Sequence, residues 1–201
     1  MSGLSRLPRS VAEAVAAERD GERLRHLFFW GHRPPRGGGV GAGCLSQWWQ
    51  APFTAGNAFG DGEHVFRTAE HHMMAHKAWL FGDDEAAAAI LTAAHPGEAK
   101  RLGRGVRGFD GAVWEEHRYA IVVGGNTAKF GAHPELGEFL LGTRGRVLVE
   151  ASPVDPIWGI GLAADDERAA SPATWRGLNL LGFALMDVRD ALAGTHRRTR
   201  P

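Results

Sequence analysis

The chain has 201 residues, 44% hydrophobic and 23% charged, with acidic and basic side chains in equal number; it has the size and composition of one globular domain whose core needs no disulfide. Zero formal charge excludes nucleic-acid binding through bulk charge. The single cysteine, Cys44, excludes an intrachain bridge, and no apolar run approaches the roughly 18 residues of a membrane helix. With a charged N-terminal segment that lacks a signal-peptide core, these features set the expectation of a cytoplasmic protein without a membrane partner.

In chain order, residues 9–25 read as a peripheral amphipathic helix. Residues 26–31, with Leu-Phe-Phe-Trp, read as a short buried strand, and 34–43 as a Pro/Gly loop. The aromatic stretch 45–53 loses its regularity at Pro52, and 64–67 is a short strand. Thr68 is the N-cap of a helix running to about Phe81. Gly82-Asp83-Asp84 stops it and caps a helix over 85–94. Pro96 opens a third, through Leu102. Residues 112–130 form a long helix despite the Gly124-Gly125 pair, and Pro134 opens another, through Leu141. Residues 146–151 read as a strand, 152–161 as a loop around Asp155 and Trp158, and 172–193 as the last helix. The sum is a mainly α domain with a small β element. The expected divisions are a helical appendage at 1–25, the domain proper at 26–195 and a basic tail at 196–201.

The segment from Thr68 to Phe81 holds the most chemistry. Glu70 and Lys77 are seven residues apart, about two helical turns, so they leave one face of the helix. Met73, Met74, Trp79 and Phe81 shield that face from water, and shielding shifts carboxyl and amine pKa values toward catalytic use. Only three lysines (Lys77, Lys100, Lys129) stand against twenty arginines. A retained amine can lose its proton where a guanidinium cannot. Two further acids keep notable company: Glu150 ends an apolar strand, and Asp155 sits between Pro153 and Pro156 near Trp158. A loop acid so placed serves a site or starts a turn.

Other patterns fall short. His72 and His76 are four apart, but the order Glu-His-His-x-x-x-His is not the metalloprotease His-Glu-x-x-His. One of the histidines His71, His72 and His76 is expected to hydrogen-bond or pack beside Glu70, and no metal or other cofactor is expected. The glycines of 37–43 lack the Gly-Lys-Ser/Thr ending of a phosphate loop. Cys44 reads as a small buried residue. Arg101 and Arg104 can fork a phosphate.

Taken in order, several segments resemble the NADAR family of YbiA-like N-glycosidases: Phe29-Trp30, residues 46–53, residues 66–78 (Phe-Arg-Thr-Ala-Glu-His-His-Met-Met-Ala-His-Lys-Ala), Phe81-Gly-Asp, Leu102-Gly-Arg, Phe109-Asp, Trp114, Lys129-Phe, residues 148–153 (Leu-Val-Glu-Ala-Ser-Pro), Asp155, Trp158-Gly-Ile-Gly, Trp175, Asn179-Leu-Leu-Gly, Leu185-Met and Arg189. The resemblance spans about residues 28–193. It implies an α-rich fold and cleavage of an N-glycosidic bond, in ribosylamino-pyrimidine phosphates of early riboflavin synthesis or in ADP-ribosylated guanine of nucleic acid. Glu70 falls on the family's catalytic glutamate, and Trp114, Asp155 and Trp158 on its other site positions. Lys77 and Arg104 match motif residues expected near sugar or phosphate. Phe29, Trp30, Lys129 and Asn179 match motif positions expected to serve substrate binding. The 34–43 insertion and the N-terminal helix depart from the pattern and can reshape the pocket mouth.

Breaking a C1′–N bond builds positive charge on ribose, as glycoside cleavage does. A carboxylate, Glu70 or Asp155, stabilises that charge or activates water. Tryptophan faces stack the base. A second route is attack of neutral Lys77 on C1′ to give an imine. Three functions follow: hydrolysis of a phosphorylated ribosylamine metabolite, release of ADP-ribose from guanine with local contact to modified nucleic acid, and turnover-free sensing of ADP-ribose-like ligands. The intact acid and tryptophan set favours an enzyme.

Overall fold

A computed structural model describes residues 6–198, and the side chains of residues 6–195. The expected basic tail at 196–201 lies outside the described side chains. Helices dominate, as the sequence patterns require, and helix α2 (Ala69–Leu80) lies at the centre. To name the elements in order, α1 (Val11–Arg19) and strand β1 (His26–Phe29) precede a hairpin of β2 (Phe53–Gly56) and β3 (Glu63–Phe66). After α2 come α3 (Asp84–Thr92), α4 (Pro96–Arg104), α5 (Gly111–Ala132), α6 (Pro134–Gly142), β4 (Val147–Glu150) and α7 (Leu180–Arg198).

Helix α2 begins at the expected cap. Thr68 is extended and its hydroxyl accepts from the His71 amide, satisfying one of the orphan donors of the first turn. Nine of its twelve residues are buried, because α3, α4 and α5 all pack on it. A helix so covered finds most partners for its polar side chains within the protein. His71 does so, with Nδ1 on Thr68 Oγ1 at 2.8 Å and Nε2 on the Ala93 carbonyl at 3.2 Å. His76 places Nδ1 on the His72 carbonyl at 2.9 Å, accepts the Ala58 amide at Nε2, and stacks on the His72 ring at 3.9 Å. These histidines hydrogen-bond and pack within the core, with no hydrogen bond to Glu70 among the described residues, and His72 Nδ1 is buried without a partner.

Two glycines permit the close crossings. A Cβ on Gly125 of α5 would lie 2.5 Å from His72 Nδ1, and one on Gly103 of α4 would lie 2.9 Å from Met74 Cγ. Gly125, of the glycine pair inside α5, is thus a packing device, and the pair does not break the helix.

Strands β1 and β4 pair in parallel, with His26 opposite Val147 and Phe29 opposite Glu150. The crossover between them contains the whole helical body from α2 to α6. Val147, Leu148 and Val149 are all buried, consistent with a parallel pair covered on its faces; α7 packs on β4 through its apolar stripe. The β2–β3 hairpin pairs Phe53 with Phe66. Strand β2 had no counterpart among the expected elements: Pro52 masks a four-residue strand that only its partner stabilises.

The last helix starts later than its periodicity suggests. Pro172–Thr174 is a separate 3-10 turn, and α7 begins at Leu180. Asn179 is the cause. It takes a left-handed backbone (φ 52°), which interrupts a helix. Its side chain accepts the Glu150 amide and donates to the Leu148 carbonyl, both at 2.9 Å. Helix α1 is also shorter than expected, and it and the residues before it are bonded to the body: Arg9, ahead of the helix, pairs with Asp187 and Asp190, and Ser171 donates to Glu18 at 2.8 Å. No helix among the described residues is long and apolar enough to cross a membrane.

Candidate active site

One face of α2 opens into a cavity of about 370 Å³ lined by Glu70, Met73, Met74 and Lys77. Its other walls come from distant parts of the chain: Trp48 before the hairpin, Lys100 and Arg104 of α4, Trp114 of α5, Glu150 at the end of β4, and Asp155 and Trp158 of the following loop. An adjoining hollow of about 630 Å³ shares Trp48, Lys100, Arg104, Glu150 and Asp155, and adds Trp30, His32 and Arg101.

The floor is held rigidly. Lys129 of α5 is wholly buried, and its ammonium donates to the carbonyls of Cys44 at 2.7 Å and Ser46 at 2.9 Å. Asn126, one turn earlier, donates to Gln47 Oε1 at 2.7 Å. The Glu70 amide donates to the Gln47 carbonyl at 2.9 Å. Loop and helix start are thereby pinned together, and Trp48 is set beside Glu70. The loop after β4 is held similarly. Asp155 Oδ1 accepts the amides of Ile157 at 3.0 Å and Trp158 at 2.9 Å, an Asx turn that fixes the Trp158 ring at the wall.

Electrostatically, the cavity sets three acids, Glu70, Glu150 and Asp155, against three cations, Lys77, Lys100 and Arg104, and burial raises two of the acids. Glu70 is 2% exposed, and burial pushes its carboxyl up to about 7 against the opposing effects of Lys100, the Trp48 indole N–H and Arg104, with Asp155 adding to the rise. Burial, then Asp155 and Glu70, push Glu150 up to about 8, with Lys100 opposing. Glu70 Oε1 and Glu150 Oε2 are buried without a hydrogen-bond partner. Unsatisfied buried acceptors are costly and rare, and they point to function. Burial lowers the Lys77 amine. That amine donates to the Gly103 carbonyl at 2.8 Å and lies 4.1 Å over the Phe109 ring and 5.8 Å from Trp114.

The structure therefore brings Glu70, Lys77, Arg104, Trp114, Asp155 and Trp158 to one cavity, and Trp30, 62% exposed, to the rim of the adjoining hollow. It does not bring Phe29, Lys129 or Asn179 to either wall. Phe29 is core, Lys129 ties down the floor loop, and Asn179 locks the end of β4. Sequence reasoning assigned no role to Trp48 or Lys100, which line both hollows. The scarcity of lysine was a usable signal for Lys100, and Glu150 stood out as an acid at the end of an apolar strand.

A NADAR domain family profile matches residues 28–193. The chain is 39% identical over 171 residues to N-glycosidase R617 of Acanthamoeba polyphaga mimivirus, covering 84% of this chain and 97% of that protein. It is 37% identical over 137 residues to the chloroplastic riboflavin biosynthesis protein PYRR of Zea mays, spanning 64% of this chain but only 20% of the maize protein. The solution NMR structure of Escherichia coli YbiA matches with a TM-score of 0.66 at 24% identity, over 90% of this chain and 92% of that one. The likeness to R617 over nearly the whole of that protein gives the class of this chain, the N-glycosidases. Within it, the chain belongs to the NADAR domain family.

Proposed function

We propose that the enzyme hydrolyses the C1′–N bond of a phosphorylated ribosylamine attached to a pyrimidine-type base. The observation that carries this reading is the meeting of Glu70 and Asp155, from segments far apart in the chain, in one cavity with three tryptophans and three cations. The name of the maize relative, a riboflavin biosynthesis protein, supports a metabolite of that kind.

The residues divide the work. Lys100 and Arg104 bind phosphate, the latter able to present a fork. Trp114 and Trp158 stack the base and favour a cationic sugar. As the C1′–N bond lengthens, the ribose ring takes on oxocarbenium character. Glu70, at the positive N-terminal end of α2, is the carboxylate that takes a proton from the attacking water. Asp155 holds the Trp158 loop and adds negative charge beside the developing cation. Carboxylates and water suffice for this chemistry, so the reading calls for no cofactor. Attack by Lys77 through an imine is the competing route.

A mass-spectrometric comparison of ribosylamino-pyrimidine phosphates and ADP-ribosylated DNA tests the substrate. Ribose phosphate released from the first supports the proposal. Unmodified guanine released from the second supports the alternative, which the adjoining hollow favours by offering room and cations for a second nucleotide moiety. Borohydride trapping separates the routes: an adduct on Lys77 shows the imine, and its absence during turnover shows direct water attack.

A further inference from the structure

The proposed reading uses Glu70 for water and leaves a second buried carboxyl, Glu150, unemployed. Its setting is that of a reacting group. It is the last residue of β4, where the strand opens onto the cavity, and it lines both hollows. Its backbone is immobilised on both sides: the amide donates to Asn179 Oδ1 at 2.9 Å, and the carbonyl accepts from Ile160 N at 2.9 Å. That clamp explains the left-handed Asn179 (φ 52°), a strained conformation retained where position matters. Yet the carboxyl Oε2, so carefully delivered, is buried with no partner.

We infer that Glu150 is a catalytic acid, resting on the proposed glycosidase reading: it donates a proton to the base nitrogen that departs from C1′. Glu70, Asp155 and Glu150 face one volume with Lys77 on α2 and Lys100 and Arg104 on α4; His32 and Arg101 stand in the adjoining hollow. Like charges in a shielded site oppose joint ionisation, so one acid keeps a proton. Burial raises both carboxyls, Glu150 to about 8 and Glu70 to about 7; geometry separates them, since the Trp48 indole N–H donates to Glu70 and favours its charged form, whereas Glu150 Oε2 is buried without a donor where the two hollows meet. Two carboxyls driven apart in this way take the acid and base roles respectively.

The step balances. The C1′–N bond breaks and its electron pair goes to nitrogen, which takes the Glu150 proton. Water oxygen bonds C1′ and gives a proton to ionised Glu70. Glu70 now carries a proton and Glu150 a charge, and transfer between them through solvent restores the start.

The test uses leaving groups. The full-length enzyme and its Glu150→Gln and Glu70→Gln variants are assayed on a ribosylamino-pyrimidine phosphate, whose leaving nitrogen needs a proton, and on nicotinamide mononucleotide, whose pyridine leaves neutral without one. Glu150→Gln is expected to lose 100-fold or more in kcat on the first, within the ~10²–10⁴ range of acid–base catalysis, and under about tenfold on the second; Glu70→Gln is expected to lose heavily on both. In parallel, kcat/KM of the wild type on the first substrate falls above a pH near 8, and Glu150→Gln loses that alkaline limb. The limb alone decides the matter if the pyridinium is not cleaved. Equal losses of Glu150→Gln on both substrates, or an unchanged alkaline limb, overturn the acid role while leaving the glycosidase reading intact. A wild type inert on every N-riboside overturns both. Unfolding midpoints of the variants identify any loss due to misfolding, and Glu150→Asp, which retains a transferable proton, is expected to recover part of the rate.

Discussion

Replacing Glu70 by Gln tests the electrostatics of the site through stability and activity at once. The carboxyl is raised from its ordinary 4.5 to about 7 by burial. At about 1.4 kcal/mol for each tenfold change in proton affinity, ionising it in the fold costs roughly 3 kcal/mol. The sign is that of a raised acid. Below pH 4.5 the group is protonated in both the folded and unfolded chains, and its stabilising preference for the fold is fully present. Between 4.5 and 7 the unfolded chain releases its proton while the folded one retains it, so stability falls; above 7 the whole cost is felt. The Gln side chain cannot ionise. The stability of Glu70→Gln relative to wild type should therefore rise by about 3 kcal/mol from pH 4.5 to 8, whatever constant offset the amide itself introduces. Urea unfolding at several pH values, with a common slope, measures this directly. Turnover should fall by a hundredfold or more over the same range. A stability difference that stays flat with pH, or near-normal turnover, would refute the claim that this buried acid is strained for catalysis.

Three other outcomes are expected. Lys100→Met removes the cation that most opposes the rise of Glu70, so the acid limb of the kcat/KM profile should move to higher pH while KM for a phosphorylated substrate rises about tenfold or more; initial-rate profiles from pH 5 to 9 check both. Lys129→Met leaves the Cys44 and Ser46 carbonyls without their buried donor, at roughly 1–3 kcal/mol for each unmet group. Calorimetry should show a lowered midpoint, and activity should drop because Trp48 loses its fixed position. Gly125→Ala places a methyl 2.5 Å from His72 Nδ1 and should cost about 1–3 kcal/mol through overpacking, read from chemical denaturation, with a smaller effect on KM than on stability.

The helical skeleton was readable because its signals are local. Thr68, Asp83, Pro96 and Pro134 mark starts in the sequence, and each begins a helix within a residue or two of expectation. Glu70 and Lys77 share a face because helical pitch alone puts them there. Motif matching was blunter. It grouped Phe29, Lys129 and Asn179 with the wall residues, since a side chain that holds a site and one that touches its contents match a motif equally well. Distinguishing them requires burial and partners: the amine of Lys129 is spent on two carbonyls, and the amide of Asn179 on the backbone of β4.

Periodicity, caps and motif order were enough to establish a mainly α chain with a helix-borne glutamate and a loop aspartate near tryptophan. They were not enough to establish that Lys100 and Trp48 stand between two hollows, that Glu150 Oε2 is buried without a hydrogen-bond partner, or that burial raises the Glu150 carboxyl. Those properties depend on desolvation and on charges from segments as far apart as residues 48 and 155, and an environment of that kind exists only once the chain has folded around it.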